Sequence, residues 1–272
     1  MRPLLIFAHR EEAEILIQYF GAKVTQAPHY YRCYSSEKAD LLITGTGVFN
    51  MMASIIHHLS THKENHFILN IGLAGSHNRP LYSWYAISSV HYPPFKTHYT
   101  DPIFSTLDYA SLKTVNRPAS SEEMKVAPDF LFDMEGYSFV QSAKRFFENH
   151  RIHLIKFVSD HDGKMDSIKS ALQQYNTSVP HIIESALKAI QKADTRSASS
   201  VAAKSYFEKI NEFGQNQRLS FSQIQLLTEQ CIYHINSGNK NIVDQLLNQD
   251  FLSVMDRDQR FTQILNHLNR NE

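Results

Sequence analysis

Three carboxylates in this chain stand where an apolar run gives way to a helix or a turn. Glu12, beside Glu11, follows the run Pro3–Ala8. Glu135 lies in Met134-Glu135-Gly136, ahead of a helical stripe. Asp160 follows Ser159 at the end of Ile152–Val158. Carboxyl groups in such places can serve as general acid and general base. In an open α/β sheet, ligands bind beyond the carboxyl ends of the strands, which is where Asp160 falls. Each acid also has a plainer reading. Acids in a first helical turn complement the helix dipole, and Asp after a strand is a common turn former. Two glycine stretches, Thr44-Gly-Thr-Gly47 and Ile71-Gly-Leu-Ala-Gly75, also read as turns after strands. Glycine there lets backbone amides approach a ligand closely. Neither is a GxGxxG or GxxxxGK[ST] motif, so no dinucleotide or P-loop site is indicated.

The elements that must position these groups alternate. Short runs rich in Ile, Leu, Val and Phe predict strands at Pro3–Ala8, Asp40–Gly45, His66–Ile71, Trp84–Val90 and Ile152–Val158. Helical spacing lies between them. Ala13, Leu16, Ile17 and Phe20 form one stripe, and Val48, Met51, Met52, Ile55, Ile56 and Leu59 a second. Phe139, Val140, Ala143, Phe146 and Phe147 form a third. Alternating strands and helices predict an α/β sheet with mostly right-handed crossovers. Pro93–Pro128 is rich in Pro, Ser, Thr and Tyr with weak periodicity, the pattern of a binding loop or of a plain excursion. After residue 190 the strands stop. Ala193–Ala203 reads as a linker or a loose helix start, and four helical stripes follow. Gly214 and Gly238 stand at expected C-caps, and Ser220 with Asn239 or Asn241 at N-caps. The tail is an all-α extension, with its stripes read first as its own core and second as a docking face.

Composition narrows the class. The 272 residues are 42% apolar, enough for a real core. Balanced charge, 27 basic against 27 acidic residues, speaks against a nucleic-acid clamp. Cys33 and Cys231 are too few and too distant for a disulfide framework, which suits a reducing, cytoplasmic setting. The opening stretch MRPLLIFAHREEAE turns acidic too early to read as a signal peptide or a membrane span. The 15 histidines are scattered without zinc-site spacing, so His57, His58, His91 and His98 read as surface or core residues and no metal is expected.

Taken in order, TGTGVFNMMAS, ILNIGLAGS, LYSWYAISSVHY, FDMEGYSFVQSA and IKFVSDHDG resemble one family. It is the purine nucleoside phosphorylase / methylthioadenosine–adenosylhomocysteine nucleosidase superfamily, matched over about residues 1 to 190 through Gly-x-Gly, Asn-x-Gly-x-Ala-Gly, Met-Glu-Gly and Ser-Asp. The resemblance implies a phosphorylase-like three-layer core, with a twisted mixed sheet flanked by helices. It implies cleavage of a ribosyl C1′–N bond without metal or organic cofactor. Asp160 would protonate or hydrogen-bond the purine at N7, and Ser159 would help hold Asp160 or contact the pocket. Glu135 would accept hydrogen bonds from the ribose hydroxyls, with Met134 packed on the sugar. Glu12 would activate water, and Gly47 and Gly72 would line the substrate site. A homodimer is expected on the same ground.

Departures from the pattern are specific. Phosphorylases carry Gly-Asp-Pro-x-Arg after the first strand, whereas this chain reads Ala8-His-Arg-Glu-Glu12, nearer the nucleosidases. No Arg stands in Leu69-Asn-Ile-Gly72, although Arg10 remains as a group that could meet phosphate. Leu73 stands where nucleosidases often have Ser, and Ser83-Trp84 replaces a Gly-Asp pair. The first reading is therefore a purine nucleoside or thionucleoside hydrolase. The alternatives are a phosphorylase with phosphate as co-substrate, and a non-catalytic nucleoside-binding protein whose helical tail docks a partner.

Overall fold

The computed structural model describes residues 2–25, 30–62, 65–199, 201–254 and 256–269. The chain divides into two compact units, Met1–Thr100 with Phe104–Gln191, and Asp101–Ile103 with Lys192–Glu272. The first unit opens with β1 (Pro3–Phe7), buried at every position, as an apolar run covered on both faces must be. Next come α1 (Arg10–Phe20), β2 (Lys23–Val24), β3 (Arg32–Ser35), β4 (Asp40–Ile43), α2 (Val48–Thr61), β5 (Phe67–Ser76), β6 (Trp84–His91) and β7 (His98–Tyr99). They are followed by β8 (Asp108–Thr114), α3 (Ser121–Val126), β9 (Phe130–Asp133), α4 (Gly136–Ala143), β10 (Ile152–Asp160) and α5 (Met165–Ser199).

The ten strands make one mixed sheet. β10 pairs with β6, β6 with β8, β8 with β9, β9 with β5, and β5 again with β10, so five strands close into a ring. Ring closure leaves these strands no free edge. The remaining path leads from β5 through β1 and β4 to β3 and β2. Leu4, Ile6, Leu42, Ile68 and Leu154 turn one face of the sheet toward Met51 and Ile55 of α2 and Phe139, Val140 and Ala143 of α4. On the other face, Tyr175 of α5 packs on Trp84 and Phe157. This is the three-layer α/β arrangement.

All five expected strands are present, with two informative changes. The run at His66–Ile71 continues as β5 through Ser76, so the Gly72–Gly75 stretch is strand and not turn. β5 is held there by β10 on one side and by β9 on the other, and ladder pairing overrides glycine's weak strand preference. Pro93–Pro128 is not irregular: it holds β7, β8 and α3. β8 was illegible because only Ala110, Leu112 and Thr114 of DYASLKT turn inward. α4 ends at Ala143, ahead of Phe146 and Phe147. Among the described residues, no helix is long and apolar enough to cross a membrane.

In the second unit, α6 (Val201–Asn216), α7 (Phe221–Asn236), α8 (Lys240–Leu247) and α9 (Arg257–Asn269) surround a core that includes Ile210, Leu227, Cys231, Val243, Leu246, Ile264 and Leu268. The stripes of the tail thus build their own core. Ser220 caps α7 through a capping box with Gln223. Gly214 is not a C-cap but lies inside α6, where a Cβ would fall 2.6 Å from Ile224 Cγ1; it permits close packing of α6 on α7. The expected linker at Ala193–Ala203 is helical in α5 and α6 apart from Ser200, which lies outside the described residues.

Candidate active site

β5 is the axis of the candidate site. Glu12 reaches it from the first turn of α1. Its Oε1 accepts the Leu73 N–H at 3.0 Å, and its Oε2 accepts the His9 N–H at 3.1 Å. A Cβ at Gly72 would fall 3.0 Å from Glu12 Oε1, so the missing side chain gives the carboxylate its place. Leu73 contributes its backbone amide, and that contact is indifferent to the Ser-to-Leu departure.

Asp160 reaches β5 from the opposite strand. It pairs in register with Gly75, and Ser159 is the extra residue of a bulge between Val158 and Asp160. Bulges re-aim side chains at strand ends. Asp160 Oδ1 accepts the Gly163 N–H at 2.6 Å and the Asp162 N–H at 3.3 Å. Its Oδ2 lies 2.6 Å from Ser159 Oγ, which is also 3.3 Å from the Ala74 carbonyl. The Ser159 hydroxyl can donate to an ionised Asp160. When Asp160 is protonated, it can accept from Asp160 and turn its own hydrogen to Ala74, so the pair suits a group that gains and loses a proton.

Glu135 stands at the N-terminal boundary of α4 and is buried. It accepts the Gly47 N–H at 2.6 Å, joining the β4–α2 connection to α4. Gly47 has φ of 92°, a left-handed geometry that glycine adopts without strain. Burial is the main force pushing the Glu135 carboxyl up to about 7. Asp133 and Glu12 add to it, while Lys156 and the Gly47 amide oppose it. Met134, between β9 and α4, is half-buried.

Two functional groups escaped sequence reasoning. Lys156 of β10 and Asp133 of β9 form a buried ion pair at 2.9 Å. Asp133 also accepts from Thr114 Oγ1 at 2.9 Å and from the Gly136 N–H at 2.8 Å. This carboxylate therefore holds the backbone just after Glu135, at Gly136. The available signal was a lysine inside the apolar run IHLIKFV, since a buried charge demands a partner. His9 is the other: its ring lies 3.0 Å from Thr46 Oγ1, tying the loops after β1 and β4.

Arg10 is not brought to the site. It pairs at the surface with Glu14 at 2.8 Å, on the helix's solvent side. Of the histidines read as surface or core, His58 and His98 are core residues, and burial pushes them down to about 4 and about 3. Among the described residues, no group of three or more His, Cys, Asp or Glu is arranged to hold a metal.

No protein-family model and no curated protein matches this chain. Solved structures do match. A nucleosidase for 5′-methylthioadenosine and S-adenosylhomocysteine from Colwellia psychrerythraea, in complex with adenine, superposes with a TM-score of 0.61 at 14% identity, over 70% of this chain and 96% of that one. The fold is the methylthioadenosine/adenosylhomocysteine nucleosidase fold. The Streptococcus pneumoniae nucleosidase, with a transition-state inhibitor, gives 0.59 at 16% identity over 70% and 100% of the two chains. The Chlamydia trachomatis protein gives 0.54 at 23% identity over 70% and 98%.

Proposed function

We propose that this chain is a purine nucleoside or thionucleoside N-ribosyl hydrolase. The observation that carries this reading is the convergence of buried carboxylates on the end of β5, with Glu12 held at Gly72 and Leu73 and Asp160 at Gly75. Both carboxylates are thus anchored on one short stretch of the same strand, Gly72 to Gly75.

Each group then has a role that fits its chemistry. Asp160, as the acid, gives its proton to N7 of the purine while the C1′–N bond breaks and its electron pair passes to the base. Glu135 accepts from the ribose 2′- and 3′-hydroxyls, and its ionised form favours the cationic sugar. Glu12 takes a proton from water as the water oxygen bonds to C1′. Met134 packs on the sugar, and no metal or organic cofactor takes part. Structures with the same fold hold adenine and a transition-state inhibitor, which supports a purine as the leaving group. The surface pairing of Arg10 with Glu14 favours water over phosphate as the nucleophile. A cytoplasmic homodimer completes the reading, and light scattering in solution tests the dimer.

A nucleoside panel assayed for free base, with and without phosphate, decides between the chemistries. The expected result is base release without phosphate, abolished by Glu12→Gln. Release that requires phosphate would make the chain a phosphorylase instead.

A further inference from the structure

Beside Asp160 lies a side chain that the proposed reaction does not use. Met124, on α3, is 1% exposed. A Cβ built on Gly75 would fall 2.5 Å from Met124 Cε and 3.3 Å from Asp160 Oδ1. The thioether methyl and the acid therefore share the space above one backbone position of β5. That position is free only because residue 75 has no side chain.

Met124 is held there by design of its own element. Ser120 and Glu123 form a capping box at the start of α3. Arg117 clamps Glu123 with two hydrogen bonds of 2.9 Å each. The segment leading into α3 also seats on the turn after Asp160, since a Cβ on Gly163 would fall 2.4 Å from the Ala119 carbonyl oxygen. The acid turn and the α3 segment thus form a single wall, and the acid and the thioether keep a fixed relation.

We infer that Met124 determines which leaving bases the site accepts, by walling the edge of the base that Asp160 addresses. The inference rests on the hydrolase reading and names a specificity residue for it. In a purine, the N7 edge carries the substituents at C8 and C6, whereas C2 lies on the far side. A side chain next to the acid meets the first two and not the third. Methionine suits the task because its unbranched, polarisable chain packs against a ring face or edge with little strain.

The test compares kcat/KM for nucleosides enlarged at C8, at C6 or at C2 in the wild type, Met124→Ala and Met124→Leu. Met124→Ala should raise kcat/KM for C8- or C6-enlarged nucleosides, relative to the parent, by about tenfold or more, as expected when one pocket wall is removed. C2-enlarged nucleosides should gain nothing, and Met124→Leu should keep the wild-type preference. Equal changes at all three positions, or none, would overturn the inference while the hydrolase reading stands. A second measurement needs no altered protein. The methyl resonance of Met124, assigned by its loss in Met124→Leu, should shift downfield when adenine is added, as a group at the edge of an aromatic ring does. An unmoved resonance overturns the inference. A shift without turnover on any nucleoside keeps the base wall and sinks the hydrolase reading.

Discussion

Asp160 and Glu12 are both buried carboxylates with both oxygens occupied by donors, yet they are held in different ways. The donors to Asp160 come from its own neighbourhood, Ser159, Asp162 and Gly163. Glu12 takes one donor from His9 nearby and the other from Leu73, 61 residues away, and Glu135 takes its donor from Gly47, 88 residues away. The proposed leaving-group end is thus held by donors of its own turn. The proposed nucleophile and sugar end takes donors that come near only after distant strands have paired. Such a division predicts that the two ends fail differently when altered.

The largest effects are expected on turnover. Asp160→Asn and Glu12→Gln should each lower kcat by about 10²–10⁴-fold. They should part in stability. Asparagine at 160 can still accept from Gly163 and donate to Ser159, so Tm should barely move. Glutamine at 12 can accept only one of its two amide donors, and the unsatisfied one costs about 1–3 kcal/mol. Equal losses of Tm would break the comparison.

Next in size is Lys156→Met, which strands Asp133 in a buried site. Denaturant unfolding should register a loss of about 3–5 kcal/mol, the usual cost of removing one member of a buried pair. Adding Asp133→Asn to the same protein should restore much of it; no recovery would separate Lys156 from Asp133.

The pH dependence comes third. Glu135 titrates at about 7 in the folded state against 4.5 for an ordinary glutamate. The folded chain therefore holds a proton that the unfolded chain has already released, and stability falls as pH rises through that window. Burial pushes His58 down to about 4, and His98 and His153 to about 3. Those residues reverse the sign below 6.5, where the unfolded chain takes up protons that the folded chain refuses. With three histidines opposing one glutamate, Tm should stay nearly level from about pH 8 to 7 and fall below that. Glu135→Gln should make the fall steeper, because the glutamate that opposes it is gone. In the wild type, kcat/KM should decline below pH 7 as Glu135 loses its charge. An unchanged slope of Tm against pH in Glu135→Gln would show that Glu135 does not hold the extra proton.

The smallest effect should come from Leu73→Ser. Only the backbone of this residue holds Glu12, so turnover and Tm should stay near the wild type. A loss as large as that of Glu12→Gln would show that the leucine side chain shapes the nucleophile end.

The same contrast explains what could be read from the sequence. β1, β4 and β10 are buried on both faces, and their burial is written in runs such as Leu4–Phe7. Asp160 was legible because its hydrogen-bond donors, Ser159, Asp162 and Gly163, lie within a few residues. β8 was not, because the ring buries one side only and Ala110, Leu112 and Thr114 are a faint signal. The contact of Glu12 with Leu73 needs the pairing of β1 with β5, and the pairing of Lys156 with Asp133 needs the closed ring. Neither is visible from spacing along the chain. At Leu73, where the family often has Ser, the contact with Glu12 is made by the backbone amide, which the sequence departure does not alter.

Asp133 also bears on how this unit folds. It gathers Thr114 from β8, the Gly136 amide from α4 and Lys156 from β10. An assembly that docked β8, β9 and α4 before β10 would bury a carboxylate without its counter-ion, several kcal/mol uphill. Lys156 thus favours a ring in which β10 is in place together with β8, β9 and α4.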